Sequence, residues 1–328
     1  MRFIKCFWTT LMIITVSIVQ AQSVKNPVKK PASKPAAKSK IIAPDQLANT
    51  LLWQISGNGL KKPSYLFGTM HVLCADDAKL SEALKEVIRK TVKVYFEVDM
   101  DNLPEMMGAM KYMRMNDGIK ISDLVTKEEY ARLEDYLKKS KTPMPISMIN
   151  RFKPYLVSSL LSEQSMNCEK KNGMEELIMK EASLNDKEIF GLETIQFQAS
   201  LFDSIPYEKQ AKDLIKYIDS AGTFDNTTQE LVDVYLKQDL KKMDSLVKKS
   251  DPGMEEYMDL LLYNRNRRWV FQMPNIMMEG TLLFAVGAGH LTGDQGLINL
   301  LRKKGYKLTP VTNQWDVTRE STIEKKKA

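Results

Sequence analysis

Apolar and polar positions follow a strand-like pattern near both ends of the chain and a helix-like pattern in the middle. Residues 92–100 alternate strictly, with Val94, Phe96 and Val98 on one side, which predicts a half-buried strand. Short apolar runs bounded by turn residues predict further strands at 51–55, 64–67, 188–192, 281–286 and 306–311. Spacings of three and four residues predict helices at 79–90, 104–115, 126–139, from 154 onward, 173–183, 206–220, 226–249, 253–272 and 296–304.

These elements together predict an α/β fold. Residues 65–99 form a predicted βαβ unit, expected to be right-handed, and residues 281–311 form a second βαβ-like unit. The expected architecture is a mixed sheet built from this N-terminal and this C-terminal unit, with a long helical insertion between them. Pro274 is expected to disturb the last long helix, because proline lacks a backbone donor.

The N-terminal residues have the layout of a secretory signal peptide. Arg2 and Lys5 precede an apolar run that ends near Val19, and Ala21 offers a small residue at the cleavage position. The run is shorter than the roughly 20 residues of a membrane span, and the alternative is an uncleaved anchor. We therefore expect an exported protein, periplasmic or secreted, cleaved near Ala21. Its expected parts are a signal peptide at 1–21, a Lys/Pro/Ala-rich linker at 22–46, a folded domain at 47–315 and a polar tail at 316–328.

The formal net charge of +7 originates in the N-terminal segment. Residues 1–40 contain eight basic and no acidic residues, so the rest of the chain carries a net charge of −1. A nearly neutral folded part argues against a nucleic-acid partner, in spite of a sequence pI near 9.0. The linker is suited to weak association with an anionic envelope surface, although such stretches are more often solvated spacers.

Three cysteines bear on the redox state of the protein. Cys6 lies inside the predicted signal peptide, which leaves Cys74 and Cys168. In an oxidising compartment, such a pair favours a disulfide. The alternative is two buried free thiols, and the geometry of the two residues decides between them.

The two histidines of the chain share one local pattern. His71 and His290 are each the last residue of a Gly-x-x-His sequence that directly follows a predicted strand. Because ligands in α/β sheets bind where strands end, the two imidazoles are predicted to meet at that edge. Glu97 interrupts an apolar strand and adds a carboxylate, which gives a set that can hold a divalent cation. Glu97 could instead act as a general base toward a bound water.

Structural explanations compete with this interpretation. A single histidine is more often structural than functional, and Glu97 alone could be an outward residue of a half-exposed strand. The chain has no His-Glu-x-x-His helix, no Gly-x-Ser-x-Gly elbow and no phosphate-binding glycine loop. Their absence argues against a standard zincin, an α/β-hydrolase elbow and a phosphate-loop nucleotide site.

Several blocks of the sequence, taken in order, resemble the TraB/PrgY/GumN family, which includes the Tiki proteins. The blocks are Leu51–Gly57, Ser64–His71, Val94–Asp99, Gly173–Leu177, Gly191–Thr194, Arg265–Trp269 and Phe284–Leu291 with Gly293 and Gly296. The similarity covers residues 51–311. It implies a related α/β fold, in a family placed near erythromycin-esterase and ChaN-like folds.

The resemblance also implies that the two histidines, Glu97 and an arginine form the active site. Arg265 matches the family arginine best, and its expected role is to hold a carboxylate or stabilise developing negative charge. Asn266, Glu175 and Glu193 are weaker candidates. Tiki members are described as metal-dependent proteases, so the expected cofactor is a divalent ion, either Mn, Co or Zn.

Three functions are compatible with these features. The first is an exported metal-dependent hydrolase, a peptidase in the favoured form, acting on a peptide or small-molecule substrate. The second is a protein that sequesters a peptide or small ligand without turnover. The third is a ChaN-like haem- or metal-binding protein whose histidines are ligands only. The first is favoured because Glu97 and Arg265 add groups that simple sequestration does not require.

Overall fold

The computed structural model describes residues 48–315 except 141, 143, 167 and 250–256. The predicted signal peptide and linker, and the predicted tail at 316–328, lie outside the described residues. Within the described part, no helix is both long enough and apolar enough to cross a membrane. The predicted division of the chain into an exported leader, a linker and a folded domain stays a prediction.

A six-stranded mixed sheet lies at the centre of the fold. The strands of the described residues are β1 Leu52–Ser56, β2 Ser64–Thr69, β3 Leu73–Cys74, β4 Lys93–Val98, β5 Lys171–Asn172, β6 Glu188–Glu193, β7 Leu282–Gly287 and β8 Lys307–Pro310. The central sheet has the order β6-β4-β7-β2-β1-β8, and within it only β1 runs antiparallel to its neighbours. β3 and β5 form a separate antiparallel pair. The predicted α/β class with a mixed sheet is confirmed.

Helices cover the sheet and build the insertion. They are α1 Glu82–Lys90, α2 Leu103–Tyr112, α3 Lys127–Lys139, α4 Ile146–Ile149, α5 Pro154–Ser165, α6 Met174–Leu184, α7 Ile195–Leu201, α8 Tyr207–Asp219, α9 Ala221–Leu236, α10 Leu240–Lys249, α11 Asn264–Met277 and α12 Leu297–Lys303. Helix α3 begins with the predicted capping box, in which Thr126 and Glu129 each bind the other's backbone N–H. Pro154 occupies the first position of α5, where its missing N–H has no intrahelical partner to lose.

Two hydrophobic cores divide the described part between the sheet and the insertion. The first contains Trp53, Phe67 and Phe284 and packs the sheet against its flanking helices. It also includes Tyr235 of α9 and Met243 of α10, so these two helices pack against the sheet. The second core lies inside the insertion, where helices α3, α5 and α8 bury their apolar faces.

The two predicted βαβ units interleave in the sheet. Leu66 of β2 and Tyr95 of β4 both pair with Phe284, so β7 lies between the two strands of the N-terminal unit. The alternation of β4 predicts a half-buried strand, but the structure buries it on both faces, as it does β2 and β7. Local patterns predict that these strands exist but not which ones pair, because buried parallel strands have similar, largely apolar sequences. This insertion of β7 determines the geometry of the site.

The predicted helix 226–249 is wrong in its length, since the chain turns between α9 and α10. Gln238 lies at this turn with a left-handed φ of +54°. Its side-chain oxygen accepts hydrogen bonds from the backbone N–H of Leu51, at 3.0 Å, and from the Asn313 amide, at 2.9 Å. The turn therefore lets one buried amide tie the start of β1 to the segment after β8.

Pro274 lies inside α11, whereas the sequence predicts that it disturbs the helix there. The helix continues to Met277 because its packed face is buried, with Trp269 and Met273 both fully inaccessible. Proline removes one hydrogen bond of the ladder, and the burial of this face offsets that loss. A π-helical turn, Asp259–Tyr263, precedes α11.

Candidate functional site

The ends of three parallel strands bring the predicted site residues together. Both Gly-x-x-His sequences continue directly from strands, His71 after β2 and His290 after β7. Phe96 of β4 pairs with Ala285 of β7, which places Glu97 beside the end of β7. Since β7 lies between β2 and β4, the imidazoles and the carboxylate reach one carboxyl edge of the sheet, as predicted.

The three predicted ligands surround Gly287. A Cβ atom at Gly287 would lie 3.1 Å from Glu97 Oε1, 3.6 Å from His290 Cδ2 and 3.7 Å from His71 Nε2. His290 Nε2 and Glu97 Oε1 are 3.6 Å apart. All three side chains are buried, and the most exposed residue, His71, is only 8% exposed. Any side chain at Gly287 would therefore fill the space that the three groups face.

Asn266 fixes the orientation of His290 and determines which nitrogen carries the proton. The Asn266 amide nitrogen donates to the carbonyls of His290 and Gln295, at 3.3 and 2.8 Å. Its oxygen therefore faces Nδ1 of His290, 2.6 Å away, and accepts that nitrogen's proton. Nε2 is left with a lone pair on the side of the site, 3.2 Å from Nη1 of Arg265. Burial lowers the pKa of His290 to about 3, which keeps the ring neutral.

Glu175 contacts Nδ1 of His71, as Asn266 contacts Nδ1 of His290. Nδ1 of His71 and Oε1 of Glu175 form a buried ion pair at 2.6 Å. Burial by itself lowers the pKa of His71, but the charge and hydrogen bond of Glu175 raise it above its ordinary value, with a contribution from Glu97. Glu175 reaches His71 because Gly173 allows close approach, since a Cβ there would lie 2.5 Å from the His71 carbonyl oxygen. The Nε2 atom of His71 is the nitrogen that faces Gly287.

Arg265 connects two buried carboxylates. Its Nη2 contacts Glu97 Oε2 and lies 2.6 Å from Glu193 Oε1, to which its Nε donates at 2.8 Å. Gln198 donates to both carboxylates, at 3.1 Å to Glu97 and 2.8 Å to Glu193. The indole N–H of Trp269 donates to the second oxygen of Glu193 at 3.1 Å. The network holds each carboxylate in one orientation.

The charges of this network keep Glu97 ionised. Burial by itself raises the pKa of Glu97, but Arg265 and His71 lower it, and the backbone N–H of Gly287 adds a hydrogen bond of 2.8 Å. The result is a pKa of about 2. The pKa of Arg265 is raised, because the charges of Glu193 and Glu97 outweigh the effect of its burial. The site therefore combines a fixed carboxylate with a fixed cation.

Comparison with known sequences places this fold and site in a family. The sequence profile of the TraB/PrgY/gumN family matches residues 51–310. The chain belongs to the TraB/PrgY/gumN family. Its relatives include "Metalloprotease TIKI homolog" of Nematostella vectensis, 22% identical over 325 residues that cover 80% of this chain and 67% of the relative. "Metalloprotease TIKI1" of Danio rerio is 23% identical, over 81% of this chain and 64% of the relative.

"Metalloprotease TIKI1" of Homo sapiens is 24% identical to this TraB/PrgY/gumN chain, over 79% of the chain and 61% of the relative. The chain thus spans about two thirds of the length of the first of these curated relatives and somewhat less of the other two. No solved structure gives a significant match. The comparisons identify the family, and the chemistry has to be argued from the site.

Every residue predicted for the active site of this TraB/PrgY/gumN chain lies in the same cluster. The weaker predictions, Asn266, Glu175 and Glu193, contact His290, His71 and Arg265. The roles assigned to these residues stay predictions. Sequence reasoning missed two further members of the cluster, Gln198 and Trp269. Trp269 follows Arg265 by four residues and so shares its helix face, whereas Gln198 has no local sequence signal.

The donor chemistry of the site suits a divalent cation, although the site is not a preformed metal centre. Both imidazoles face the space at Gly287 and have Nδ1 turned to an acceptor, an arrangement that metal-binding histidines commonly have. Among the described residues, no group of three or more His, Cys, Asp and Glu side chains is arranged to hold an ion. Arg265 gives a physical reason, because its guanidinium already contacts both Glu97 and Nε2 of His290.

A disulfide lies next to the site. Cys74 and Cys168 are bonded, with Cα atoms 5.8 Å apart and a sequence separation of 94. Cys74 pairs with Lys171 in the β3–β5 ladder. The bond therefore joins the segment that follows His71 to the segment that precedes Glu175.

Proposed function

We propose that this chain is an exported metal-dependent hydrolase that cleaves peptide bonds. The observation that carries the proposal is the convergence of His71, His290 and Glu97 on the open side of Gly287, at 3.1–3.7 Å from its Cβ position. Two imidazoles and a carboxylate form a common ligand set for catalytic metals. Because these relatives are named metalloproteases, a peptide bond is the favoured target.

In this proposal, His71 and His290 would hold the ion through Nε2 once the Arg265 guanidinium, 3.2 Å from Nε2 of His290, moves aside. Glu97 faces the same space. A bound divalent ion would lower the pKa of a water molecule and polarise a carbonyl group. Glu97 Oε1, fixed by the N–H of Gly287, is ionised and placed to hold a proton of that water. Arg265 supplies a permanent positive charge beside His290, where negative charge on an attacked carbonyl oxygen would be stabilised.

Glu175 and Asn266 act as positioning residues in this scheme. Each lies 2.6 Å from Nδ1 of one histidine, Glu175 from His71 and Asn266 from His290. Such partners orient the ring and select the tautomer whose Nε2 is a ligand. The haem-binding alternative is less favoured, because the cavity beside the histidines measures about 150 Å³, below the roughly 300 Å³ at which ligand pockets begin.

The test is cleavage of a peptide library by the purified protein with Mn²⁺, Co²⁺, Zn²⁺ or EDTA. We expect metal-dependent cleavage that is lost in Gly287→Ala, because the added methyl group fills the space between the three ligands. Gly108→Ala is the matched control, since its Cβ position has no neighbouring atom within 4 Å, and it should retain full activity. Cleavage that persists in EDTA, or equal activity in the two alanine variants, would contradict the proposal.

Two further readouts separate the parts of this proposal. Glu97→Gln should bind an uncleaved peptide but not convert it, whereas a sequestering protein would show binding without conversion in the unchanged chain as well. Export predicts that protein recovered from the periplasm or the medium begins after Ala21. An intact N-terminus on that material would contradict cleavage.

A further inference from the structure

A mostly apolar cavity of about 150 Å³ lies beside the two histidines. On one side, the strand ends contribute Thr69, His71 and Glu97 to its lining. On the other side, residues from the helical part of the chain form an apolar wall of Met166, Leu231, Val232, Met243, Val247 and Leu262. The reactive groups and the shape of the cavity therefore come from different parts of the chain.

The apolar wall packs directly against the histidine-bearing loop. A Cβ atom at Gly289, one residue before His290, would lie 3.8 Å from a methyl group of Val247. Tyr235 also lines the cavity, and its hydroxyl is satisfied by donating to the carbonyl of Gly68 at 3.1 Å. A group in this cavity would thus contact hydrocarbon and one aromatic ring while staying next to the imidazoles.

The hydroxyl of Thr69 is a buried polar group in the lining of the cavity. Its Oγ1 is buried and has no hydrogen-bond partner among the residues that the structure describes. Thr69 is only 2% exposed, lines the cavity, and pairs with Gly287 in the sheet register. Because a buried hydroxyl without a partner is unfavourable, a ligand atom that hydrogen-bonds to it is favoured.

We propose that this cavity is a subsite for one apolar side chain, of leucine or methionine size, adjacent to the bond that is cleaved. The hydroxyl of Thr69 would hydrogen-bond to the backbone of the same peptide. Apolar cavities of about 150 Å³ accept a group as large as benzene, which sets this upper size. The inference rests on the hydrolase function proposed above, and it assigns the substrate class to apolar peptides.

The charges around the cavity favour an apolar group over a cationic one. Glu97 already contacts Arg265 and faces the space of the proposed ion, so it is not free to pair with a substrate side chain. A lysine side chain would lose its hydration against the hydrocarbon wall. Glu163 also lines the cavity, and its carboxylate would favour a cation. A lysine-containing substrate therefore tests the apolar preference directly.

The kinetic test changes the cavity at one position in both directions. Val247→Phe should lower kcat/KM for peptides with leucine or methionine at the subsite by roughly 10-fold or more, and should leave glycine and alanine peptides nearly unchanged. Val247→Ala should shift the preference toward phenylalanine. Met278→Phe, at a residue 63% exposed and outside the cavity lining, should change neither preference. A uniform loss for all peptides, or a preference for lysine, would overturn the subsite.

A binding measurement keeps this inference separate from the proposed hydrolysis. In protein labelled with ¹³C at the methionine methyl groups, N-acetyl-leucinamide should shift the signals of Met166 and Met243 but not those of the exposed Met107 and Met278. N-acetyl-lysinamide should shift none of them. Shifts without any peptide cleavage would support the subsite while contradicting the hydrolase. Cleavage without these shifts would support the hydrolase and overturn the subsite.

Discussion

Replacing Arg265 by methionine should destabilise the protein far more than the same replacement of an exposed arginine. The Arg265 side chain is 7% exposed and contacts Glu97 and Glu193, whose side chains are 2% and 1% exposed. Its removal leaves two buried carboxylates without their cation. Breaking a buried ion pair by removing one partner costs about 3–5 kcal/mol, because the remaining charge is uncompensated. We expect a loss of this size in the free energy of unfolding at neutral pH.

Arg267→Met is the matched control on the same helix. Arg267 lies 3.0 Å from Asp259, but the two side chains are 43% and 70% exposed. Exposed ion pairs contribute about 0.2–1 kcal/mol, so this variant should lose less than about 1 kcal/mol. Urea unfolding of both variants at pH 7 in EDTA measures the difference without a contribution from bound metal. If Arg265→Met is no less stable than Arg267→Met, the argument that the guanidinium compensates the buried carboxylates is refuted.

Three further predictions concern pH, the disulfide and Glu175. Folding holds the pKa of His290 at about 3 against an ordinary 6.5, so the unfolded state binds more protons and stability falls as pH drops through this window. The slope of the unfolding free energy against pH approaches about 1.4 kcal/mol per pH unit. Urea unfolding measured at several pH values should give a smaller slope for His290→Asn. Replacing Cys74 and Cys168 by serine should cost up to about 4–5 kcal/mol of unfolding free energy, because the bond closes a span of 94 residues; unchanged stability would contradict this. Glu175→Gln should weaken metal binding by about 10–100-fold while the protein stays folded, and an unchanged affinity would show that His71 needs no anionic partner.

The strand ends and the histidines could be predicted from the sequence because their signals are local. A glycine, two intervening residues and a histidine after an apolar run mark a strand that ends at a sheet edge. The same holds for Glu97, a carboxylate that interrupts an otherwise apolar and aromatic strand. These signals indicate where each side chain lies along its own element, and convergence then follows from the rule on strand ends.

The remaining features depend on contacts between distant segments. The insertion of β7 between β2 and β4 has no local signal, because parallel buried strands have similar apolar sequences. Gln198 belongs to the site only because α7 follows β6 at the same edge. The turn at Gln238 and the continuation of α11 through Pro274 are likewise determined by tertiary contacts, with Leu51 and Asn313 in one case and with the core in the other.

The central claim is that one divalent ion binds where His71, His290 and Glu97 converge. Titration of Co²⁺ into EDTA-treated, dialysed protein, followed by visible absorption, tests it most directly. We predict saturation at one ion per chain, loss of the bound-cobalt spectrum in His71→Ala and in His290→Ala, and an altered spectrum in Glu97→Gln. Gly108→Ala should give the unchanged spectrum. A spectrum that is the same in both histidine variants as in the unchanged chain would contradict the claim.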